Sequence, residues 1–406
     1  MLTKLSISMS EYELIELIRG HGEVTMADLI SSTDYSRSKI NGFIEDLIKK
    51  QYIQETGLGD YTGGRRSRMF AINGAFGLVA GADIGATSID LAVTNFSGKI
   101  LARHSMAASV REGPRPILSR VSEKIEWMIA EYGLPAERLY GIGIGVPGPV
   151  DFDQGTVVSP PIMPGWDGFP IVQSVQDRFP SACAVVDNDV NVLALGEVSA
   201  GIAKGVKNLI FVKIGTGIGS GIVCNGRIYR GSNGCAGDIG HICVQKDGPI
   251  CPCGNRGCLE AMAAGPAIGE RGMRAALEGK SPILLKYYQA NEGRLSAEDV
   301  GNAAREGDPA AIEIIRDSGQ MIGDVLAGLV NFFNPSMIVI GGGVAGIGNL
   351  LLSSIRRAVL NRSLPLSTRD LQICFSEKGS DAGVIGAVNL ALDKVFEVET
   401  GSNGFK

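Results

Sequence analysis

The chain has 406 residues, 45% of them hydrophobic, with 56 glycines and a formal net charge of −5, a size that allows two or three domains and a large buried core. That charge excludes a basic coat for nucleic acid over the whole surface, though not a local DNA-binding module. No stretch approaches about 18 uninterrupted apolar residues and no N-terminal segment reads as a secretory signal, so a soluble, cytoplasmic protein without membrane contact is expected.

From Ser10 to Arg19 the apolar residues Leu14, Leu17 and Ile18 fall at helical spacing, and Gly20-His21-Gly22 ends the run. Thr25 can cap a second short helix carrying Met26, Leu29 and Ile30, which breaks at Ser31 to Asp34. Ser36 can cap a third, longer helix with Ile40, Phe43, Ile44, Leu47 and Ile48 on its buried face. Three short helices with a tight turn before the third form a helix-turn-helix pattern. Tyr52 to Glu55 and Met69 to Ile72 can pair as strands around a glycine-rich hairpin, which makes the α+β unit over residues 1–74 a winged version. Ser36, Arg37, Lys39 and Asn41 then stand where a third helix reaches phosphates and major-groove base edges, and Arg65, Arg66 and Arg68 lie on or beside the wing, suited to a narrow minor groove. Residues 1 to 75 nevertheless hold nine Lys or Arg and ten Asp or Glu, so binding depends on how the charge is distributed, and a winged helix that docks on protein is the alternative.

From Leu78 the pattern changes to apolar runs broken by glycine. Leu78 to Thr87, with Asp83, Gly85 and Thr87 at its end, leads into a second strand from Ser88 to Phe96 and a turn at Ser97-Gly98. The same layout returns at Leu209 to Gly221, with Thr216 and Gly217 in the turn, followed by Ile222 to Cys224 and Asn225-Gly226. One hairpin appearing twice suggests two related lobes facing one cleft. Glycine at such turns lets backbone N–H groups face phosphate without a Cβ in the way, and Thr87 or Thr216 can add a hydroxyl. Between the hairpins, Gly141 to Pro149 ends a strand with a rigid turn, and Ala184 to Asn191 is a buried strand running into an acidic turn and a helix. A carboxylate placed there, Asp189, can accept the proton of an attacking hydroxyl, or can simply cap the helix. Trp166 is expected in the core of its lobe.

Gly237-Asp238-Ile239-Gly240-His241 is followed, after nine intervening residues, by Cys251-Pro252-Cys253 and then Cys258-Leu259-Glu260. One imidazole and three thiols so spaced can close around one tetrahedral ion, and this donor set favours structural zinc on His241, Cys251, Cys253 and Cys258. The Cys-x-Cys spacing is too tight for an easy disulfide, and the other five cysteines, Cys183 and Cys374 among them, read as core residues. Residues 262 to 332 are mainly helical, Met337 to Gly343 is a buried strand opening into glycines, and residues 381 to 396 form a last helix.

These residues resemble the ROK family of repressors, open reading frames and sugar kinases, whose signature is Glu-x-Gly-His followed by Cys-x-Cys-Gly-x-x-Gly-Cys-x-Glu. The chain departs from it with Asp238 in place of Glu, and with Ser88 where the kinases usually have Lys. The resemblance implies a two-lobed α/β domain of the actin, Hsp70 and sugar-kinase type, built on ribonuclease H-like repeats, with lobes over 75–190 plus 378–400 and over 191–377. It implies a sugar site at Gly148, Asn188, Asp189, Asp238, His241 and Glu260. It also implies a nucleotide site at Asp83, Gly85, Thr87, Thr216, Gly217 and Gly342, in which Asp83 acts on the magnesium of ATP through water and Asp189 is the base. A winged helix followed by Gly-Arg-Arg resembles the family's sugar-responsive repressors. The expected function is therefore a carbohydrate-gene repressor whose affinity for a double-stranded DNA operator changes with a bound sugar, working as a homodimer or homotetramer. The alternative is an ATP-dependent, hexokinase- or glucokinase-like sugar kinase, alone or combined with DNA binding, and a zinc-stabilised sensor acting on a protein partner is a third reading.

Overall fold

The computed structural model describes residues 5–58, 67–379 and 381–397. The chain opens with α1 (Met9–His21), β1 (Glu23–Thr25), α2 (Met26–Ser31), α3 (Arg37–Lys49), β2 (Ile53–Leu58) and β3 (Arg68–Ile72). Thr25 and Asp28 form a reciprocal capping box at α2, and the Ser36 hydroxyl caps α3. The three strands make an antiparallel sheet in the order β1-β3-β2. β1 is three residues long and was not expected from the sequence.

Two five-stranded sheets follow. The first is built from β4 (Leu78–Ile84), β5 (Ser88–Asn95), β6 (Ile100–Ala107), β7 (Leu139–Val146) and β10 (Cys183–Asn188), with α4 (Pro114–Glu131), the short pair β8 (Val150–Asp151) and β9 (Thr156–Val157), and α5 (Ile171–Arg178) inserted before β10. The helix α6 (Asp189–Ala200) leads to the second sheet: β11 (Leu209–Ile214), β12 (Ile218–Cys224) and β13 (Arg227–Ile228), then α7 (Leu259–Ala263), α8 (Gly265–Leu277), α9 (Pro282–Ala290), α10 (Ala297–Arg305) and α11 (Pro309–Phe333), then β14 (Met337–Gly341), α12 (Asn349–Arg362), α13 (Pro365–Thr368) and β15 (Gln372–Phe375). The sheet orders are β10-β7-β4-β5-β6 and β13-β12-β11-β14-β15. In each, a first strand pairs antiparallel with its hairpin partner on one side and parallel with a later strand on the other. The repeat expected from the glycine hairpins is thus a repeat of the whole sheet.

The last helix, α14 (Asp381–Phe396), packs on α6 at backbone distance. A Cβ on Gly196 would stand 1.9 Å from the Ala382 carbonyl, and one on Gly386 would stand 1.7 Å from that of Val192, so both positions require glycine. Trp166 is fully buried and its indole N–H donates to the Val110 carbonyl at 2.9 Å. Cys183 and Cys374 are half-buried in β10 and β15, Cys235 and Cys243 are exposed rather than in the core, and no disulfide joins two cysteines among the described residues. Among the described residues, no helix is long and apolar enough to cross a membrane.

The N-terminal unit does not stand apart from the sheets. Leu14, Ile15 and Ile18 of α1 share one apolar cluster with Val79, Phe96 and the α14 residues Val388, Leu392, Val395 and Phe396. Arg19 of α1 reaches Asp393 of α14 at 2.8 Å and lies over the Phe396 ring.

Candidate functional site

β10 passes directly into α6, and Asn188 fixes the turn. Its side-chain oxygen accepts from the Val190 N–H at 2.9 Å, and its Nδ2 donates to the Gly148 carbonyl at 2.8 Å. Asn188 is therefore the helix cap, which releases Asp189 from that role. Asp189 is buried, and its Oδ2 accepts from the Lys213 ammonium of β11 at 2.5 Å. Next to it, the buried Asp187 pairs with Arg230 at 2.7 Å and accepts from Asn191 at 2.9 Å. Arg230 in turn lies 3.8 Å over the Phe152 ring. Asp187 belongs to the first sheet and Arg230 follows β13 of the second, so this pair joins the lobes.

Asp83, near the end of β4, has its carboxylate wedged between Gly145 and Gly383: a Cβ on Gly383 would stand 1.8 Å from Oδ2. Burial pushes its pKa up to about 7, against a lowering by Lys213 and with smaller raising effects from Asp189 and Asp90. Burial alone would lower the pKa of Lys213, but the carboxylates of Asp189 and Asp83 outweigh it and the net shift is upward. Lys213 is thus held as an ammonium between two acids. The first glycine turn closes with the Gly85 N–H donating to the Ser88 carbonyl at 2.8 Å, and the second with Gly215 donating to Gly217 at 2.9 Å. Thr87 and Thr216 are exposed at these turns. Gly342, with φ 87°, comes so close to the second turn that a Cβ would lie 2.4 Å from the Ile214 carbonyl.

His241, Cys251, Cys253 and Cys258 converge so that their ligand atoms all lie within 4.8 Å of one another, and they could hold a metal ion. The Cys251 sulfur is 3.6 Å from His241 Nδ1, and the Cys253 and Cys258 sulfurs are 3.8 Å apart. Asp238 faces the other ring nitrogen of His241 at 3.8 Å, the position of a carboxylate that orients a ligating imidazole. Glu260 accepts from the Ile218 N–H at 3.1 Å and would meet a Cβ on Gly217 at 2.3 Å. It therefore ties the cysteine cluster to the second glycine turn.

On the N-terminal unit, Ser36, Arg37, Lys39 and Asn41 are exposed together at the start of α3. Among the described residues neither Arg37 nor Lys39 has a salt-bridge partner. Arg68 is engaged instead, with Glu45 of α3 and Glu55 of β2, both at 2.8 Å. Arg65 and Arg66 lie outside the described residues.

Residues 79–394 match the model of the ROK family. The chain belongs to the ROK family. A putative xylose repressor of Caldicellulosiruptor sp. (strain Rt8B.4) is 31% identical over 94% of this chain and 95% of its own. A glucokinase of Halalkalibacterium halodurans is 33% identical over 79% of this chain and 97% of its own. Among solved structures, a ROK family transcriptional regulator homologous to the E. coli MLC protein superposes with TM-score 0.81 and 27% identity, covering 96% of both chains. A ROK glucokinase from Streptomyces griseus, in complex with glucose and AMPPNP, gives TM-score 0.65 and 31% identity over 78% of this chain and 99% of its own. The regulators match the ROK domain and the N-terminal unit together, while the kinases leave part of this chain without a counterpart.

Reading the ROK motifs did not reveal Lys213, Asp187 or Arg230. Lys213 had a signal, a single charge inside the apolar run Leu209-Ile-Phe-Val-Lys-Ile just before a glycine turn. Asp187 and Arg230 are far apart in sequence and acquire meaning only when the lobes come together.

Proposed function

We propose that this ROK protein is a sugar-responsive transcriptional repressor, with residues 1–74 as a winged helix-turn-helix that binds operator DNA and the two lobes, 75–190 with 378–400 and 191–377, as the sugar sensor. The observation that carries this reading is the coverage of the relatives: the repressor and regulator matches run through the N-terminal unit as well as the ROK domain. The exposed start of α3 supplies Ser36, Arg37, Lys39 and Asn41 for phosphates and base edges. Arg68 neutralises Glu45 and Glu55 beside that face, which keeps acid away from the phosphates. Two such units in a homodimer or homotetramer would meet two half-sites.

Sugar would bind at Gly148, Asn188, Asp189, Asp238, His241 and Glu260. A single rod connects this region to the DNA-binding unit. The N-terminal end of α14 lies against Asp83 and α6, the helix that begins at Asp189, and its C-terminal end holds Arg19 and the core of α1. At 1.5 Å per residue the rod is about 24 Å long. A sugar that favours one angle between the lobes would therefore move the seat of α1 and change the spacing of two DNA-binding units.

Zinc is the ion assigned to the cysteine cluster. A tetrahedron with Zn–S of about 2.3 Å and Zn–N of about 2.05 Å has edges of about 3.8 Å between sulfurs and about 3.6 Å between sulfur and nitrogen. The distances Cys253–Cys258 of 3.8 Å and Cys251–His241 of 3.6 Å agree with it. Four protein ligands leave no open position, so the ion would be structural, fixing Asp238 and Glu260.

In the kinase reading, the two glycine turns and Asp83 would take the phosphates and magnesium of ATP, and ATP would supply the phosphoryl group. Asp189 would then accept the sugar hydroxyl proton, but its carboxylate is already paired with Lys213.

The test is fluorescence anisotropy of the full-length protein on promoter DNA of carbohydrate genes from its own genome, with a panel that includes xylose and glucose. One sugar is expected to shift DNA affinity by about tenfold or more, the usual range of coupling between sites. No sequence-selective DNA binding, with or without any sugar, would overturn the reading.

A further inference from the structure

β4 and β11 are counterparts in sheets of the same order. Asp83-Ile84-Gly85 ends the first and Lys213-Ile214-Gly215 ends the second, so the repeat places an acid and a base at equivalent positions. The Lys213 ammonium is 2.5 Å from Asp189 and near enough to Asp83 to affect its acidity. Lys213 thus pairs directly with one of the two carboxylates that phosphoryl transfer in this fold would require, Asp189, which would take the proton, and acts through its charge on the other, Asp83, which would face the metal. We propose that Lys213 is a built-in cation that takes the place of magnesium, so that the ROK domain accepts an uncharged sugar alone and excludes magnesium nucleotide.

A magnesium ion directed by Asp83 would lie close to the fixed positive charge of Lys213, which is half-buried and held by a buried carboxylate, so solvent screens the like-charge repulsion only in part. The ammonium holds Asp189 Oδ2, one of the carboxylate's two oxygens, so a general base would have to act through Oδ1 beside a fixed cation or break a pair whose carboxylate is buried. The first backbone donor of each glycine turn, Gly85 and Gly215, is also spent within its own turn. An uncharged sugar meets none of these obstacles, because it can share the Asp189 carboxylate with Lys213 through hydroxyl hydrogen bonds.

The choice of sugar as ligand rests on the repressor reading, whereas the exclusion of magnesium nucleotide does not. Isothermal titration of the full-length protein tests it, with magnesium–AMPPNP, magnesium chloride alone, and glucose or xylose in the presence and absence of magnesium–AMPPNP. The wild-type protein is expected to take up neither magnesium nor magnesium–AMPPNP, and its sugar affinity should not change when they are added. Lys213→Ala, which leaves Asp189 and Asp83 without a counter-ion, should gain magnesium-dependent AMPPNP binding of about tenfold or more, the scale of one uncompensated buried charge. Lys213→Arg, which keeps the charge, should behave as wild type, and Lys213→Gln, which keeps a hydrogen-bond donor without the charge, should follow Lys213→Ala if that variant does not fold. Magnesium–AMPPNP binding by the wild type as tight as by the uncharged variants would overturn the proposal. So would a folded uncharged variant that gains no affinity. Absence of DNA binding would sink the repressor reading and leave these titrations unaffected.

Discussion

The two lobes repeat one sheet, strand for strand, and three of the differences between them bear on function. The first strand of one ends in Asp83 and that of the other in Lys213. Among the described residues, the cysteine cluster belongs to the second lobe, and the apolar seat of the N-terminal unit is formed by Val79 and Phe96 of the first lobe with the returning helix α14. The common topology is what apolar strands and glycine turns require. The differences, by contrast, are where a charge, a thiol and imidazole cluster and the N-terminal unit have been added, so they are where function can be separated from architecture.

The largest effect is expected at the metal. Burial pushes the Cys258 thiol up to about 12 and raises Cys251 as well, while the backbone N–H of Asn255 lowers Cys253, so filling the cluster must release protons. Cys251→Ser should abolish stoichiometric zinc, measured by elemental analysis, and lower stability by several kcal/mol, on the order seen when closed structural sites are lost. Hydrogen exchange should place the loss in α7 and the β11–β12 turn, where Glu260 is anchored, and leave β4 and β5 protected. Full zinc content in the variant would remove the assignment.

A second contrast lies between the two strand ends. Asp83 moves from its ordinary 3.8 to about 7 because the fold desolvates it. The folded chain holds this proton more tightly than the unfolded chain, so the cost is absent below pH 3.8, grows as pH rises, and is complete above pH 7. Asp83→Asn removes that cost and should raise the melting temperature at pH 8, by the equivalent of a few kcal/mol, with a smaller gain at pH 5. An equal gain at both values would show that the carboxylate is not desolvated.

Much of this architecture was legible in the sequence because it rests on local chemistry. The caps Thr25 and Ser36, the glycine turns after β4 and β11 and the cysteine spacing all act within a few residues. β1 escaped because three residues carry no periodicity, and only Val24 is buried in it. β6 escaped because it is an edge strand with Arg103 and His104 on it, and only Ala102 is buried in it. In the candidate site, the motif predicts Asp189 but not what it touches. Its partner Lys213 comes from the other lobe, as Arg230 does for Asp187, and contacts made by lobe closure leave no spacing to read.

The seat of the N-terminal unit gives the next smaller effect. Arg19 is largely buried against Asp393, Glu16 and the Phe396 ring. Arg19→Ala should cost about 1–2 kcal/mol of stability, with lost packing as much as lost charge. The measurement that distinguishes a link from a mere contact is the response to sugar: sugar affinity should hold while its effect on DNA affinity shrinks. If that effect is unchanged, α14 does not carry the signal.

The smallest effect concerns charge placement on α3. The net charge of the N-terminal unit is no guide to DNA binding, since its acids outnumber its bases. What the fold adds is a partition: Arg68 is spent on Glu45 and Glu55, whereas Arg37 and Lys39 stand exposed at the helix start. Replacing Arg37 with Ala should therefore flatten the dependence of log affinity on log salt by about one unit if it meets one phosphate. Arg68→Ala should leave that slope nearly as it is and lower affinity through the two acids it uncovers. Equal slopes for wild type and Arg37→Ala would move the DNA contact away from the start of α3, and a slope lost with Arg68 would mean that its pairing with the two glutamates gives way when DNA binds.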